Sequence, residues 1–279
     1  MRTSDEAISV QHAALSALLE SDPSAKCAAV ESLHQAWLAT SLKRAHAYAC
    51  PHVEVPGRPA QPELVDPQTV PRRNPHTREG HAALIHAIAH IEFNAINLAL
   101  DCVARFSAAG DEFVNDWLRV ANEEAHHFSM LSARLEELGF FYGSFPAHNG
   151  LWEMALKTDA DFTARMALVP RLLEARGLDA TPPIQAKLRD IGDRKTLSIL
   201  DIILRDEVGH VAVGDRWFRA ACAQAGVDPV SRFRQLLDEF GVAPPRPPMN
   251  RKARREAGFS EQELDDFEAL ALVRKPPRN

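Results

Sequence analysis

The sequence has few cysteines, and their arrangement indicates neither a disulfide nor a thiolate metal site. Only four occur in 279 residues, at Cys27, Cys50, Cys102 and Cys222, and no two form a C-x-x-C pair. A disulfide framework is therefore excluded as the source of stability. We expect reduced cysteines that pack as small apolar side chains.

Two kinds of segment are also lacking, and the net charge is modest. The N-terminus has no apolar core of a signal peptide, and no apolar run reaches the roughly 18 residues of a membrane span. We therefore expect a soluble, cytoplasmic protein that contacts no membrane. The formal net charge of −6 gives no strong nucleic-acid signal. The short basic stretch 246–255 is expected to be a solvated tail.

The prolines divide the chain. Seven of the 19 fall between Pro51 and Pro75, a density that no helix survives. We predict four parts: an N-terminal helical arm (1–50, with helices over 5–20 and 24–49), a proline-rich extended linker laid along the surface (51–80), a four-helix bundle (81–226), and a C-terminal helix with a charged tail (227–279). The arm is expected to pack against the bundle.

One motif occurs twice within long helical patterns. The first copy ends in Glu124-Ala-His-His127 and the second in Glu207-Val-Gly-His210. Residues three apart share a helix face, so each glutamate and histidine can bind the same first-row metal. The overlapping pair Glu123 and His126 falls on a polar face, which favours Glu124 and His127 as the ligands.

A lone glutamate precedes each copy at nearly equal separation. Glu92 lies 32 residues before Glu124, and Glu174 lies 33 residues before Glu207. Glu92 is the one charge on an otherwise apolar helix face. Burying four carboxylates together is unfavourable, and two divalent cations would neutralise them. We predict a dinuclear metal site with the ligands Glu92, Glu124, His127, Glu174, Glu207 and His210, and no catalytic residue beyond them.

The acids before each motif, Glu123 and Asp206, are candidates for accepting the free N–H of a metal-bound imidazole. Surface positions are the alternative for both. Oxygen-rich ligands with one imidazole per metal favour two iron ions, with manganese or a mixed pair as alternatives. His81, His86 and His90 near the start of the Glu92 helix are expected at the surface or against the arm.

Periodicity and capping signals predict the bundle helices. The first runs from about 77 to 106. The second begins after the N-cap Asp111 and ends before Gly139. A crossover of about 20 residues with a short helix near Trp152 leads to a third helix, 161–176, bent at Pro170 and ended by Gly177. Thr181 is the predicted cap of a fourth helix, which runs to about 225. Further helices are expected over 229–240 and 261–273. The fold class is all-α, a ferritin-like four-helix bundle with one long crossover.

These motifs together resemble the ferritin-like diiron carboxylate superfamily. The resemblance is to its repeated pattern of Glu followed by (Asp/Glu)-Glu-x-x-His. It implies the same six ligands, with Glu123 and Asp206 at the positions that hydrogen-bond the metal-bound imidazoles. More narrowly, the stretches beginning at His90, Glu124, Pro170 and Asp206 are similar to a bacterial ferritin-like family known only as a domain of unknown function. The diiron tRNA hydroxylases are a more distant likeness.

Three functions fit this pattern. The first is an O₂-activating oxidase or hydroxylase that acts on a small molecule or a modified nucleoside, with an electron donor that the sequence does not identify. The second is metal handling or peroxide detoxification without an organic substrate. The third is a purely structural metal site. The long arm, crossover and tail favour the first, because they could cover a substrate pocket.

Overall fold

The computed structural model describes residues 8–273. Within that part of the chain the regular backbone comprises eleven α-helices, one 3-10 turn and one π-helical segment. The only β feature among these residues is an isolated bridge between Leu64 and Ala147. The prediction of an all-α protein is confirmed. The chain divides into two compact units, one that ends at Leu156 and one that begins at Lys157.

The first unit contains the N-terminal arm and the first pair of long helices. Its helices are α1 (Val10–Leu19), α2 (Pro23–Leu38), α3 (Arg78–Phe106), α4 (Asp111–Glu137) and α5 (Gly150–Lys157), which reaches the unit boundary. Helix α1 packs on α3, and α2 packs on α4. The arm therefore packs against the long helices, as expected.

The two arm helices are shorter than predicted. Helix α1 begins after the cap Ser9, and the predicted positions 5–7 lie outside the described residues. Helix α2 begins after the cap Asp22, with Pro23 in its first turn, but ends at Leu38 and not at 49. Thr40 adopts a φ of 54°, and the amide of Ser41 donates to the carbonyl of Ala36 at 2.9 Å. This is the hydrogen bonding that ends a helix.

The proline-rich segment contains no helix between α2 and α3 and contacts other parts of the first unit. The indole Nε1 of Trp152 donates to the carbonyl of Glu54 at 3.0 Å. The amide of Gly57 donates to the carbonyl of Leu18 at 2.9 Å, and the bridge at Leu64 joins this segment to the crossover. The carbonyls and amides of a segment that cannot form a helix are thus partly satisfied by its neighbours.

Helices α3 and α4 form the hairpin that carries the first motif. Thr77 caps α3 through its hydroxyl, which accepts from the amide of Gly80. Helix α4 ends before Gly139, whose φ is 80°, as predicted. Its N-cap is Gly110, so the prediction of Asp111 as the cap was wrong. The Asp111 carboxylate instead accepts from Nε of Arg44 at 2.7 Å.

Helix α3 contains a longer apolar stretch than we expected anywhere in the chain. The stretch Arg78–Ala109 is long and apolar enough to cross a membrane, contrary to our expectation, but 78% of its apolar window is buried inside the structure. A largely buried helix of this kind is typical of the core of a soluble protein. The cytoplasmic location stays a prediction.

The second unit is built on a helix hairpin with a C-terminal extension. Its elements are α6 (Phe162–Leu168), a π-helical segment (Val169–Glu174), α7 (Ala175–Asp190), α8 (Arg194–Ala225), α9 (Pro229–Glu239), α10 (Arg251–Glu256) and α11 (Glu261–Val273). The predicted short helices over 229–240 and 261–273 are present. Helix α8 packs on α6, the π-helical segment and α7.

The predicted break at Gly177 and cap at Thr181 were wrong. Helix α7 continues through Pro182 and Pro183, and the break comes at Ile191–Asp193, where Asp193 caps α8. Pro182 cannot donate to the carbonyl of Leu178, and the side chain of Asn250 donates to that carbonyl instead, at 3.2 Å. The donor that replaces the missing proline N–H thus lies 72 residues beyond Leu178 in the chain.

The C-terminal segment is not a solvated tail, as we had expected of 246–255. Arg254 is fully buried and donates to both carboxylate oxygens of Asp179, at 3.0 and 2.6 Å. Arg171, also fully buried, donates to Asp215 and to Glu263 of α11. Two buried, neutralised arginines therefore fix the tail to the second unit.

Candidate metal centre

Three of the predicted ligands lie together in the first unit. Glu92 projects from α3, and Glu124 and His127 project from α4; their exposed fractions are 5%, 1% and 0%. Nδ1 of His127 lies 3.1 Å from Oε2 of Glu92 and 3.4 Å from Oε2 of Glu124. One ligand atom from each residue lies within 4.8 Å of the others. The hairpin therefore gathers two carboxylates and one imidazole at a buried point.

The local sequence explains why these side chains point inward. Glu92 lies on the face of α3 that also carries the buried residues Ile85, Ala89 and Ile96. On α4 the buried residues Val120, Glu124, His127 and Leu131 recur at helical spacing. The apolar residues bury these faces, and the three polar groups are carried inside with them.

The two carboxylates and the imidazole of this cluster shift one another's pKa values. Burial, and then repulsion from Glu124, raise the pKa of Glu92 well above its ordinary value. Burial alone would lower the pKa of His127, but its hydrogen bonds to Glu124 and Glu92 raise it to about 10. A protonated His127 neutralises one carboxylate only, so the cluster retains one negative charge or holds an extra proton.

A divalent metal ion fits these donors. Metal–oxygen and metal–nitrogen bonds of about 2.1 Å place neighbouring octahedral ligands about 3 Å apart, close to the separations between Nδ1 of His127 and the two carboxylates. The cation would neutralise both carboxylates and leave His127 as a neutral ligand.

The second motif is also buried, on α8 in the second unit. The exposed fraction is 9% for Glu207 and 0% for His210, and Nδ1 of His210 lies 3.3 Å from Oε2 of Glu207. The predicted partner Glu174 is buried in the π-helical segment, which packs on α8. Within the described part of this unit, Glu174 does not complete a three-ligand group with this pair. Its role as a ligand stays a prediction.

The π-helical segment has a physical cause. Pro170 removes one backbone donor and bends the helix, and the wider turn that follows carries Glu174. Gly214 of α8 makes room for Pro170, because a Cβ at residue 214 would lie 2.5 Å from Cβ of the proline. π-helical turns inside α-helices are often found at functional sites.

The choice between the overlapping readings of the first motif agrees with the burial. His126 is exposed and Glu123 is half-buried, whereas Glu124 and His127 are buried. Glu123 lies 3.3 Å from Nη1 of Arg119. Asp206 lies 2.8 Å from Nε of the neighbouring Arg205. The proposed contacts of Glu123 and Asp206 with metal-bound imidazoles stay predictions.

Two buried histidines were not predicted from the sequence. His86 and His90 were expected at the surface or against the arm, but both are buried and contact the crossover. His86 accepts from the amide of Gly143, and His90 bonds the Tyr142 hydroxyl at 2.9 Å. Their spacing of four residues placed them on one helix face, which was a signal we did not use.

The fold and these clusters define an all-α protein with buried glutamate and histidine groups that could hold a metal ion. The chain belongs to the family described as "Protein of unknown function (DUF455)", which matches residues 19–265. A Haemophilus influenzae protein, described as an uncharacterized protein, is 50% identical over 222 residues, 77% of each chain. No solved structure matches the chain significantly.

Proposed function

We propose that this chain is a dinuclear metal carboxylate protein with two iron ions, or manganese in one or both positions, and that it activates O₂ to oxidise an organic substrate. One metal would be held by Glu92, Glu124 and His127. The other would be held by Glu174, Glu207 and His210. The ferritin-like fold belongs to this proposal.

The observation that carries it is the buried group of Glu92, Glu124 and His127. An uncompensated carboxylate inside a protein costs several kcal/mol even after relaxation. The sequence nonetheless places two carboxylates against one imidazole, in an apolar setting and with ligand atoms within 4.8 Å of one another. Metal binding gives this arrangement a physical purpose that packing alone does not.

The support for a second metal is the repeat in the sequence. Glu207 and His210 repeat the spacing and the burial of Glu124 and His127. A pair of reduced iron ions supplies the electrons needed to activate O₂. The chain itself would supply the ligands, release the His127 proton when metal binds, and exclude water through the apolar faces of α3 and α4.

Metal content tests this proposal. We expect two metal ions per chain in protein expressed with iron and manganese, measured by inductively coupled plasma mass spectrometry. Substitution of His127 or Glu207 by alanine should remove at least one ion. His126→Ala is the matched control, because His126 is exposed and adjacent in sequence, and it should keep both.

A second measurement addresses the reaction class. The metal-loaded protein is reduced without oxygen and then exposed to O₂ while the near-ultraviolet spectrum is recorded. An oxygen-dependent band that disappears in His127→Ala supports O₂ activation. Metal binding without that band would leave a structural metal site, and absence of stoichiometric metal would refute both. Rapid turnover of added Fe(II) or peroxide without any organic substrate would instead indicate metal handling or detoxification.

A further inference from the structure

A groove in the second unit carries two arginines that no acid neutralises. It has a volume of about 520 Å³, and its lining includes Arg176, Asp179 and Pro183 of α7 together with Pro244, Arg246 and Pro248 of the segment before α10. Its size falls within the range of small-molecule sites, about 300–1,000 Å³. It is distinct from the glutamate and histidine clusters.

Neither Arg176 nor Arg246 forms a salt bridge or hydrogen bond with any residue in the described part of the chain. The neighbouring Arg254 is different, because it is fully buried and engages both oxygens of Asp179. The same Asp179 carboxylate also accepts from the amide of Asn250 at 2.8 Å. The acid of the groove is therefore already neutralised, and the two free guanidinium groups give the groove a positive charge.

The arginines are close enough to affect each other. Partial burial, followed by repulsion from Arg246 and Arg254, lowers the pKa of Arg176. Holding like charges together without an acid is unfavourable in the free protein. An anionic ligand would remove that repulsion.

From this arrangement we propose that the groove binds the phosphate group of a small phosphorylated molecule. Guanidinium groups present paired N–H donors that match the oxygens of a phosphate, and they remain charged at every physiological pH. The proline and alanine side chains of the walls offer an apolar surface for the rest of the molecule. The ligand class is thus a phosphate joined to an apolar or planar body.

A small molecule fits better than a nucleic acid. A polyanion requires a continuous basic stripe, but the basic residues that follow the groove are paired with acids. Arg251 contacts Asp265 and Glu268, and Arg255 contacts Glu261. The segment that follows the groove therefore adds no continuous basic stripe to it.

Helix α7, which lines the groove, also packs on helix α8, which carries the second motif. Gly177, the residue after Arg176, lies against Glu207, since a Cβ at residue 177 would be 3.6 Å from Oε1 of that glutamate. A molecule anchored at Arg176 would lie beside the backbone that supports Glu207. That the anchored molecule is the oxidised substrate rests on the proposed function; binding of phosphate does not.

Titration calorimetry of the full chain with inorganic pyrophosphate and with adenosine monophosphate tests the proposal. We expect saturable binding of one molecule per chain. Arg176→Gln and Arg246→Gln should each raise the dissociation constant about tenfold or more, because each removes a charged donor. Arg176→Lys keeps the charge but loses the paired N–H donors of the guanidinium. Its dissociation constant should lie between those of the wild type and Arg176→Gln. Arg189→Gln is the control, because Arg189 is exposed on the same helix outside the groove.

Both groove arginines are exposed, so the variants should keep the wild-type circular dichroism spectrum and melting temperature. Metal content is measured in every variant, and the titrations are repeated after chelation, so that phosphate bound to a metal is not mistaken for phosphate in the groove. If the groove does not bind phosphate, the metal content should still be as proposed. If the chain does not bind metal, phosphate binding in the groove should be unaffected.

Two results would overturn the proposal. One is the absence of saturable binding, or binding that is equal in the wild type, Arg176→Gln and Arg246→Gln. The other is arginine-dependent binding of single-stranded RNA that pyrophosphate does not displace, which would assign the groove to a nucleic acid.

Discussion

Nδ1 of His127 lies 3.1 Å from Oε2 of Glu92, a contact that joins α4 to α3 inside the first unit. Without metal it is a hydrogen bond from a protonated ring to a carboxylate, and the pKa of His127 is raised to about 10. With metal, the same separation suits two neighbouring ligands of one ion. The hairpin therefore brings together groups that could hold either a proton or a metal ion at the same point.

Glu92→Gln should separate metal binding from folding. Glutamine keeps the shape of the side chain but removes the charge that burial and Glu124 disfavour. The metal-free variant should be more stable than the metal-free wild type by about 1–3 kcal/mol, and it should lose metal. Urea unfolding with a chelator present, together with metal analysis, measures both effects.

Glu136→Gln is a matched control for this experiment. Glu136 is exposed on α4, so its substitution should change the unfolding free energy by less than about 0.5 kcal/mol and leave metal content unchanged. If Glu92→Gln destabilised the metal-free protein, Glu92 would be a structural hydrogen-bond acceptor and not a carboxylate held for a metal.

The pH dependence of the metal-free protein should report the protonation of His127. Its pKa is about 10 in the folded state and about 6.5 in an unfolded chain. The contribution of protonated His127 to the unfolding free energy is therefore complete below pH 6.5 and is lost as pH rises towards 10. The unfolding free energy of wild type minus that of His127→Gln should fall by up to roughly 3–5 kcal/mol over this window.

The difference between the two proteins is needed because Lys26 acts in the opposite sense. Burial lowers the pKa of Lys26 to about 7, so its contribution to stability rises with pH above 7. It is common to both proteins and cancels. A difference that stays constant from pH 6.5 to 10 would contradict the protonated ring. Metal affinity should rise over the same window, because the proton must leave His127 before metal binds.

The first motif could be predicted from the sequence because its signal is local. Glu124 and His127 lie one turn apart on a face whose other residues are apolar, and periodicity alone chose them over Glu123 and His126. The same reasoning placed the ends of α3.

The buried cations could not be predicted in this way, because their partners are distant in sequence. Nζ of Lys26 donates to Asn97 at 2.7 Å, 71 residues away, and to the carbonyls of Ala17 and Leu18 at the end of α1. The continuation of α7 through Pro182 likewise depends on Asn250. We expected charged residues to lie at the surface and prolines to end helices. Contacts with residues distant in sequence changed both outcomes.

Two helical glycines should respond oppositely to alanine. At Gly214 a Cβ would lie 2.5 Å from Cβ of Pro170, a rigid ring that cannot move aside. At Gly177 the nearest atom, Oε1 of Glu207, would be 3.6 Å away, an ordinary contact. Gly214→Ala should therefore lower the unfolding free energy by about 1–3 kcal/mol, whereas Gly177→Ala should leave it unchanged or raise it by up to about 1 kcal/mol.

Thermal unfolding of the two variants checks this prediction, and each serves as the control for the other. Gly214→Ala should also disturb the π-helical segment that carries Glu174. If Gly214→Ala keeps wild-type stability, the π-helical segment can shift away from α8. Pro170 would then not require a glycine at residue 214.

Arg171 should decide whether the C-terminal helix stays folded onto the second unit. Its guanidinium is fully buried, donates to Asp215 and Glu263, and lies 4.5 Å from the ring centre of Phe233. Arg171→Met fills similar space but leaves two buried carboxylates whose one remaining ion-pair partner among the described residues is Arg219. The amide and hydroxyl of Ser260 still donate to Glu263. The expected loss is about 3–5 kcal/mol of unfolding free energy.

Hydrogen exchange should show where this loss occurs. In Arg171→Met the amides of α11 should exchange much faster, because Glu263 no longer has its buried partner. Arg234→Gln is the control, since Arg234 of α9 pairs with Asp266 of α11 at a partly exposed site, where the two side chains are 47% and 28% exposed. It should cost less than about 1 kcal/mol. Equal protection of α11 in both variants would mean that aromatic packing, such as that of Phe233 on Phe267, holds the helix without the buried charge.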